Sequence, residues 1–536
     1  MTNKNDEAKN GCGARDESKT AFEEYLELFR SELPLGESFD LLERKLMIGG
    51  RRASVFFVDG LHDSDKALEL FKYLLAVPAE AMEGISDSQV FLERSLPFME
   101  AEVVDSADTE QRMEAAGDAS AVPQLRLHCR SQYLAVLPKL YTGLVPLIVE
   151  GLDNIIIMDA RHYPARTVEE PEKEKSLRGA KDGFTETLMT NIGLIRRRIR
   201  SNELIFKAYN IGSISKSEVA LVYMKDRADM DFVNKLDRVL GDWSAEAQTG
   251  TEIVSGAGSC AGSEQGAKSA GEALSVSDQS LLERLLRAFD AGSGINPFPK
   301  VRYSQRPDVI AAHLCEGKTA IIVDNSPTVM LIPTSVLEFF QDVDDYYFPA
   351  LTGNYFRFIK LINFFVILFL NPVFFLMAEY DLAPQVLKFF VPAEDFAIPI
   401  FWQFILLEVA VDGLKLASLN TPSSLGASLS VIGALILGEF SIDSGWFIPQ
   451  TILCMAVVAL AAFTQPGIEF SYAMKFCRIV LLIAAYFFGI YGIAAAALVL
   501  FIFAASTKTL TGGSYLYPLI PFDAKILKRL IFRTQK

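Results

Sequence analysis

Glu408, Asp412 and Lys415 sit at i, i+4 and i+7 in the segment AIPIFWQFILLEVAVDGLKLA, residues 397–417. A helix over this segment carries all three on one face. Their neighbours are almost all apolar, and a charge at the centre of a bilayer costs about 2.5–3.5 kcal/mol on insertion scales, so such residues face a polar pathway or a partner. One reading is a pore- or cavity-facing stripe whose carboxylates attract cations, as the acidic rings of cation channels do. The other is an interfacial amphipathic helix with its charges among headgroups, Asp412 and Lys415 neutralising each other. Glu408 is the deepest of the three. Glu439 follows the apolar run VIGALILG and precedes Asp443; it reads first as a span-end residue in water and second as a further ion-path candidate.

Other chemistry is sparse. The six cysteines show no CxxC spacing and the four histidines are isolated, which gives neither a disulfide framework nor a zinc site. No Ser/His/Asp or Cys/His arrangement argues for catalysis, so no enzyme, cofactor or metal is expected. A net charge of −15 argues against a nucleic-acid binder, which would present a basic face. The basic run Arg196, Arg197 and Arg198, followed by Arg200, could grip anionic lipid or an acidic partner; a solvated helix face is the reading preferred. The stretch from Arg178 through Lys181 to Gly183 has a glycine and a cation before a helix but lacks the GxxxxGK[ST] pattern. A turn or subunit contact accounts for it better than a phosphate loop.

The elements that must carry these residues follow from pattern. Residues 1–20 read as a disordered tail, without the apolar core of a signal peptide. A helical period covers Ala21 to Glu43. Two β-rich runs, Lys45–Ile48 and Arg51–Val58, flank Gly49-Gly50, a strong hairpin signal. Helical spacing returns at Asp63–Leu75, and two apolar runs broken by Glu150-Gly151 give a strand pair within 144–158. A second unit has a helix over Lys181–Arg200, strands at Leu204–Ala208 and Glu218–Tyr223, and a helix over Asp229–Leu240. Ala245–Gly271 is mostly Gly, Ser and Ala, a flexible insert or linker. Helices near Asp278–Phe289 and Pro307–Cys315 come next, then strands Thr319–Val323 and Thr328–Ile332 about the turn residues Asp324-Asn325-Ser326-Pro327. The expected organisation is an α/β N-terminal region of two subdomains, 21–165 and 166–350, then an α-helical multi-pass membrane domain over 351–510 and a basic tail over 511–536.

Five apolar segments are candidate spans: 358–377, 397–417, 425–441, 447–465 and 479–505. Lys525, Lys528, Arg529, Arg533 and Lys536 favour a cytoplasmic tail, and Arg357 and Lys360 favour the same side before the first span. Both ends inside require an even number of crossings. Either 397–417 does not cross, or 479–505 bends back at Gly489–Gly492.

Several motifs in order carry a family resemblance: residues 48–60 (IGGRRASVFFVDG), 178–184 (RGAKDGF) leading to Thr190-Asn191-Ile192, Pro297-Phe298-Pro299, Arg306-Pro307-Asp308-Val309, Glu316-Gly317-Lys318 and Asp345-Tyr346-Tyr347. From about Phe39 to Phe532 the chain resembles the A-subunit family of bacterial spore germinant receptors. The segments 378–381, 400–403 and 515–522 point to one sporulation-protein branch of it, and Ala245–Gly271 departs from the family pattern. The resemblance implies a germination protein of the spore inner membrane (the forespore membrane during sporulation) with a cytosolic N-terminal region. It also implies copies of the chain oligomerising around a path for monovalent cations, in contact with membrane lipids and other germination proteins. The rival reading is a non-conducting scaffold that assembles germination proteins through its cytosolic domains.

Overall fold

The computed structural model describes the chain except residues 1–19, 97–99, 116–123, 162–178, 213–214, 250–277, 290–295, 342–346, 381–396, 422–430, 432, 434 and 532–536. The expected N-terminal tail and most of the Gly/Ser/Ala insert lie outside the described residues. The chain divides into two compact units: Met1–Glu169 with Asp182–Val276 and Gln305–Val329, and Glu170–Lys181 with Ser277–Ser304 and Met330–Lys536.

The N-terminal region is α/β, with two five-stranded sheets. The first contains β1 (Leu41–Ile48), β2 (Arg51–Val58), β3 (Ala101–Val103), β4 (Val145–Val149) and β5 (Ile156–Met158), in the order β1-β2-β4-β5-β3. The Gly-Gly hairpin pairs Leu41 with Val58 through to Ile48 with Arg51. Both turn residues have positive φ, +52° and +79°, which is why glycine is required there. Side chains alternate faces along β2. Val55 and Phe57 join the core beneath α2 (Ser64–Leu75) and α3 (Ser88–Ser95), while Phe56 and Val58 join the one under α1 (Ala21–Glu32) and α5 (Gln124–Leu140), which α4 (Ala107–Ala115) precedes. A strand buried on both faces reads as a continuous apolar run. Asp63 caps α2 by accepting from the amides of Asp65 (2.9 Å) and Lys66 (3.4 Å).

The second sheet contains β6 (Leu204–Ile211), β7 (Ser217–Met224), β8 (Arg302–Ser304), β9 (Thr319–Val323) and β10 (Val329–Ile332), in the order β6-β7-β9-β10-β8. This is the order of the first sheet repeated five strands on. The two hairpins match in length, and β2 and β7 share one pattern of burial. The sequence reading found no such repeat. Its helices are α6 (Leu188–Arg198), α7 (Met230–Thr249), α8 (Asp278–Ala288) and α9 (Pro307–Cys315).

Three local expectations change. The first helix stops at Glu32, because Leu33 is extended and Pro34 and Gly36 (φ +80°) follow it, and the strand then begins at Leu41. The helix expected from Lys181 starts at Leu188. Ahead of it, the Asn191 side chain ties down Thr185 by accepting from its amide (2.8 Å) and donating to its carbonyl (2.6 Å). Helix α7 runs to Thr249, into the first residues of the segment read as a linker.

The second unit holds α10 (Ala350–Glu379), α11 (Ile400–Asn420), α12 (Pro449–Phe463), α13 (Ile468–Ser506) and α14 (Ala524–Ile531). Among the described residues, α10 and α13 are long and apolar enough to cross a membrane, and α12 is a shorter apolar helix. Of the segment 425–441, the described part ends in a π-helical turn over Leu435–Phe440.

Helix α13 is not one rod. Phe470 and Cys477 near its start share a core with Leu500 and Ala504 near its end. In a straight helix Phe470 and Ala504 would stand about 50 Å apart. The reversal is at Gly489 (φ +61°, ψ −142°), a conformation essentially closed to other residues. At Gly492 a Cβ would lie 2.0 Å from the Ala484 carbonyl oxygen. The arms 468–488 and 490–506 therefore fold back on one another. Gly489→Ala is expected to cost about 1–3 kcal/mol, read as a lowered thermal midpoint of the detergent-purified protein; an unchanged midpoint would show that the reversal does not depend on this glycine.

Candidate functional site

Glu408, Asp412 and Lys415 lie on one stripe of α11, as their spacing requires, and all three line a small cavity. The facing stripe is on the first arm of α13, where Lys475 and Arg478 stand one turn apart (i, i+3). The deepest contact is between Glu408 and Arg478, each only 4% exposed. Arg478 Nη2 and Nε reach Glu408 Oε1 at 2.6 and 2.7 Å, and its Nη1 donates to the carbonyl of Ile367 on α10 at 3.0 Å. One turn nearer the start of the arm, the Lys475 ammonium donates to Asp412 Oδ2 and, at 3.3 Å, to the Glu408 carbonyl. It lies 3.6 Å from Glu408 Oε2.

Asp412 and Lys415 do not neutralise each other. Asp412 pairs with Lys475, and the Lys415 ammonium stands over the rings of Phe463 (5.3 Å) and Tyr472 (5.6 Å). The cavity has a volume of about 20 Å³, space for a water or two and not for a hydrated ion. Its lining carries two carboxylates, Glu408 and Asp412, and three cations, Lys415, Lys475 and Arg478. A purely acidic stripe was expected from α11 alone.

Polar groups continue beyond the ion pairs. Asn371, one helical turn from Ile367, is fully buried; its Nδ2 faces Met455 Sδ at 3.5 Å and its Oδ1 has no partner. Pro372 follows inside the helix and supplies no N–H for the carbonyl of Leu368. Gln403, also fully buried, accepts from the Ile448 amide (3.1 Å) and the Thr451 hydroxyl (2.9 Å) and donates to the Ile398 carbonyl (2.7 Å). These helices thus hold a line of buried polar groups in an otherwise apolar interior. The sequence reading used Lys475 and Arg478 only as markers of membrane orientation. Their one-turn spacing, matching that of Glu408 and Asp412, was the signal that could have joined them.

The remaining candidates are dispersed. Glu439 is exposed on the π-helical turn. Arg178 lies outside the described residues, and Lys181 and Arg197 are exposed. Arg198 is ion-paired with Asp182 at 2.5 Å. Arg196 departs most from the solvated face expected of it: both it and Asp40 are fully buried, with Nη2 at 2.7 Å from Asp40 Oδ2. Its guanidinium also donates to the carbonyls of Ser201 and Leu204, both at 3.1 Å, and lies against the Tyr141 and Phe206 rings. With its donors spent inside the first unit, Arg196 is not available to lipid or to a second subunit. Among the described residues no group of three or more His, Cys, Asp or Glu is placed to hold a metal ion.

Comparison with known proteins places the whole arrangement. The family model described as Bacillus/Clostridium GerA spore germination protein matches residues 30–255 and 275–536. The unmatched gap falls where the Gly/Ser/Ala-rich segment departs from the family pattern. Stage V sporulation protein AF of Bacillus subtilis (strain 168) is 31% identical over 95% of this chain and 92% of its own length. Spore germination protein KA of the same organism is 25% identical over 93% of this chain and 82% of its own length. Among solved structures, the N-terminal domain of the A subunit of the Bacillus megaterium spore germinant receptor GerK3 matches at 21% identity and a TM-score of 0.34, covering 57% of this chain and 92% of that one. The sporulation-protein branch indicated by residues 378–381, 400–403 and 515–522 is that of the stage V relative. With motifs and family model agreeing over nearly all of its length, the chain belongs to the GerA family of spore germination proteins.

Proposed function

We propose that this chain is a multi-pass membrane subunit of an assembly that releases ions from the spore during germination. In this reading several copies associate in the spore inner membrane, together with other germination proteins, and both termini face the cytoplasm. The observation that carries it is the line of buried charged and polar groups running through apolar helices. Such groups are costly in a bilayer, and a purely anchoring bundle has no use for them. The small cavity and the closed ion pairs correspond to a non-conducting arrangement; conduction requires the α11 and α13 stripes to part. The fold-back at Gly489 supports the placement of Lys475, Arg478 and Lys508 on one side of the membrane.

The scaffold reading draws on one specific observation, the pairing of both carboxylates, since a staple between helices would look the same. Flux separates the two. Asp412, at the half-exposed end of the cluster, is the group to change, because Asp412→Asn keeps its size and hydrogen bonding. Proteoliposomes with the wild-type chain, alone or with its germination partners, are expected to pass monovalent cations, and the variant to pass them several times more slowly at equal incorporation. No flux from the wild type under either condition would favour the scaffold.

A further inference from the structure

The cavity between α11 and α13 has a surplus positive charge with no partner. Arg478 and Lys475 neutralise Glu408 and Asp412, which leaves Lys415. An ammonium carries three donors. Among the described residues the Lys415 Nζ meets neither a carboxylate nor another hydrogen-bond acceptor, only the faces of Phe463 and Tyr472. Ring faces contribute about 0.5–1 kcal/mol at exposed sites and leave those donors unused. The same cavity is lined by Ser471 and Tyr472, in the first turns of α13.

Its position says what completes it. Lys415 stands at the outer end of the charged ladder, beyond Asp412 and Glu408. On α10 the same level is marked by Asn363, which donates to Thr464 just past the end of α12 (2.9 Å), and by Lys360, whose carbonyl accepts from Gln465 (3.2 Å). Lys360 immediately precedes the apolar run of α10. This is where headgroups meet hydrocarbon, given the reading of these helices as membrane-embedded, on which the inference rests. Around Lys415 the surface is apolar and open: Phe463 is 71% exposed and Leu416 60%, flanked by Ile468 and Leu460. A ligand that fits has a compact anionic head for the ammonium and hydrocarbon chains for these side chains.

We propose that Lys415, with Ser471 and Tyr472, forms a binding site for the phosphate of an anionic phospholipid, its acyl chains lying over Leu416, Leu460, Phe463 and Ile468. Lys415 is then a lipid ligand and not part of an ion path. Phosphate is the recognising chemistry and the bilayer is its source.

The test compares thermal midpoints of the full-length protein in nanodiscs of phosphatidylglycerol and of phosphatidylcholine, for the wild type, Lys415→Gln and Lys415→Arg. A ligand that binds only the folded state raises the midpoint by mass action. The wild type is expected to melt several degrees higher in phosphatidylglycerol, Lys415→Gln to lose most of that difference, and Lys415→Arg to keep it. Equal midpoints for the wild type in the two lipids overturn the proposal. So does a Lys415→Gln variant that loses stability equally in both, the mark of a merely structural cation–ring contact. Millimolar inorganic phosphate reproducing the shift in phosphatidylcholine would assign the site to a soluble phosphate and overturn the lipid. None of these readings depends on conduction, so proteoliposomes that pass no ions would remove the proposed function and leave this comparison standing.

Discussion

Glu408→Ala is expected to destabilise the full-length protein by about 3–5 kcal/mol, since removing one partner of a buried pair strands the other charge. The stranded group is Arg478, which is as buried as Glu408 and would retain only the Ile367 carbonyl and its neighbours as acceptors. The loss should appear as a large drop in thermal midpoint in detergent and as poor incorporation into liposomes. Glu408→Leu with Arg478→Leu should recover most of it, because replacing both members of a buried pair by apolar residues is often neutral or stabilising. A single variant as stable as the wild type would mean that the pair is open in the membrane. This outcome bears on ion-path tests too. Flux lost in Glu408→Ala cannot be ascribed to a missing cation site, because the bundle itself is damaged; Asp412, paired at the rim, is free of that difficulty.

The second large effect is expected at Arg196 and Asp40. Neither is exposed, and together with Ser38 they join the end of α6 to the strands on either side. The Ser38 hydroxyl donates to Asp40 Oδ1 (2.5 Å) and accepts from the Phe206 amide (3.0 Å), and the Phe39 amide donates to the Phe206 carbonyl (3.0 Å). This binds the first sheet to β6 of the second. Arg196→Ala would leave Asp40 buried with one hydroxyl for company, again a loss of about 3–5 kcal/mol. Arg196→Lys should recover little, because one ammonium cannot supply the fork that meets Asp40, Ser201 and Leu204 together. Limited proteolysis of the full-length protein is a suitable readout, with faster cleavage between the sheets expected in both variants. Wild-type resistance in Arg196→Ala would show that the apolar cores alone hold them together.

Much of the architecture was legible because local rules governed it. Gly49-Gly50 forced a hairpin whose two residues need positive φ. Asp63 announced a helix start, and the turn residues after Val323 separated two strands. Where a local period was overridden, tertiary contacts did it: Asn191 fastens Thr185 outside the helix that composition extended to Lys181. The repetition of strand order between the sheets was invisible because it resides in hydrogen-bond pairing, which different apolar residues satisfy equally well.

At the charged cluster the division is sharper. Spacing alone put Glu408, Asp412 and Lys415 on one face of a helix in an apolar region, since that follows from helical geometry and bilayer energetics. It could not say what the face meets, because the partners are more than sixty positions away and become neighbours only when the first arm of α13 packs beside α11. The same limit misread Arg196, which looks solvated in a basic run until Asp40 arrives from a distant strand. The choice left open at Gly489–Gly492 belonged to the backbone, and the structure reverses there because glycine can take a conformation that other residues cannot. Sequence determined which residues carry charge, which segments are apolar and where the chain can turn. Tertiary structure decided which charges are neutralised and which one is left over, because the cost of a buried charge depends on partners that only folding brings within reach.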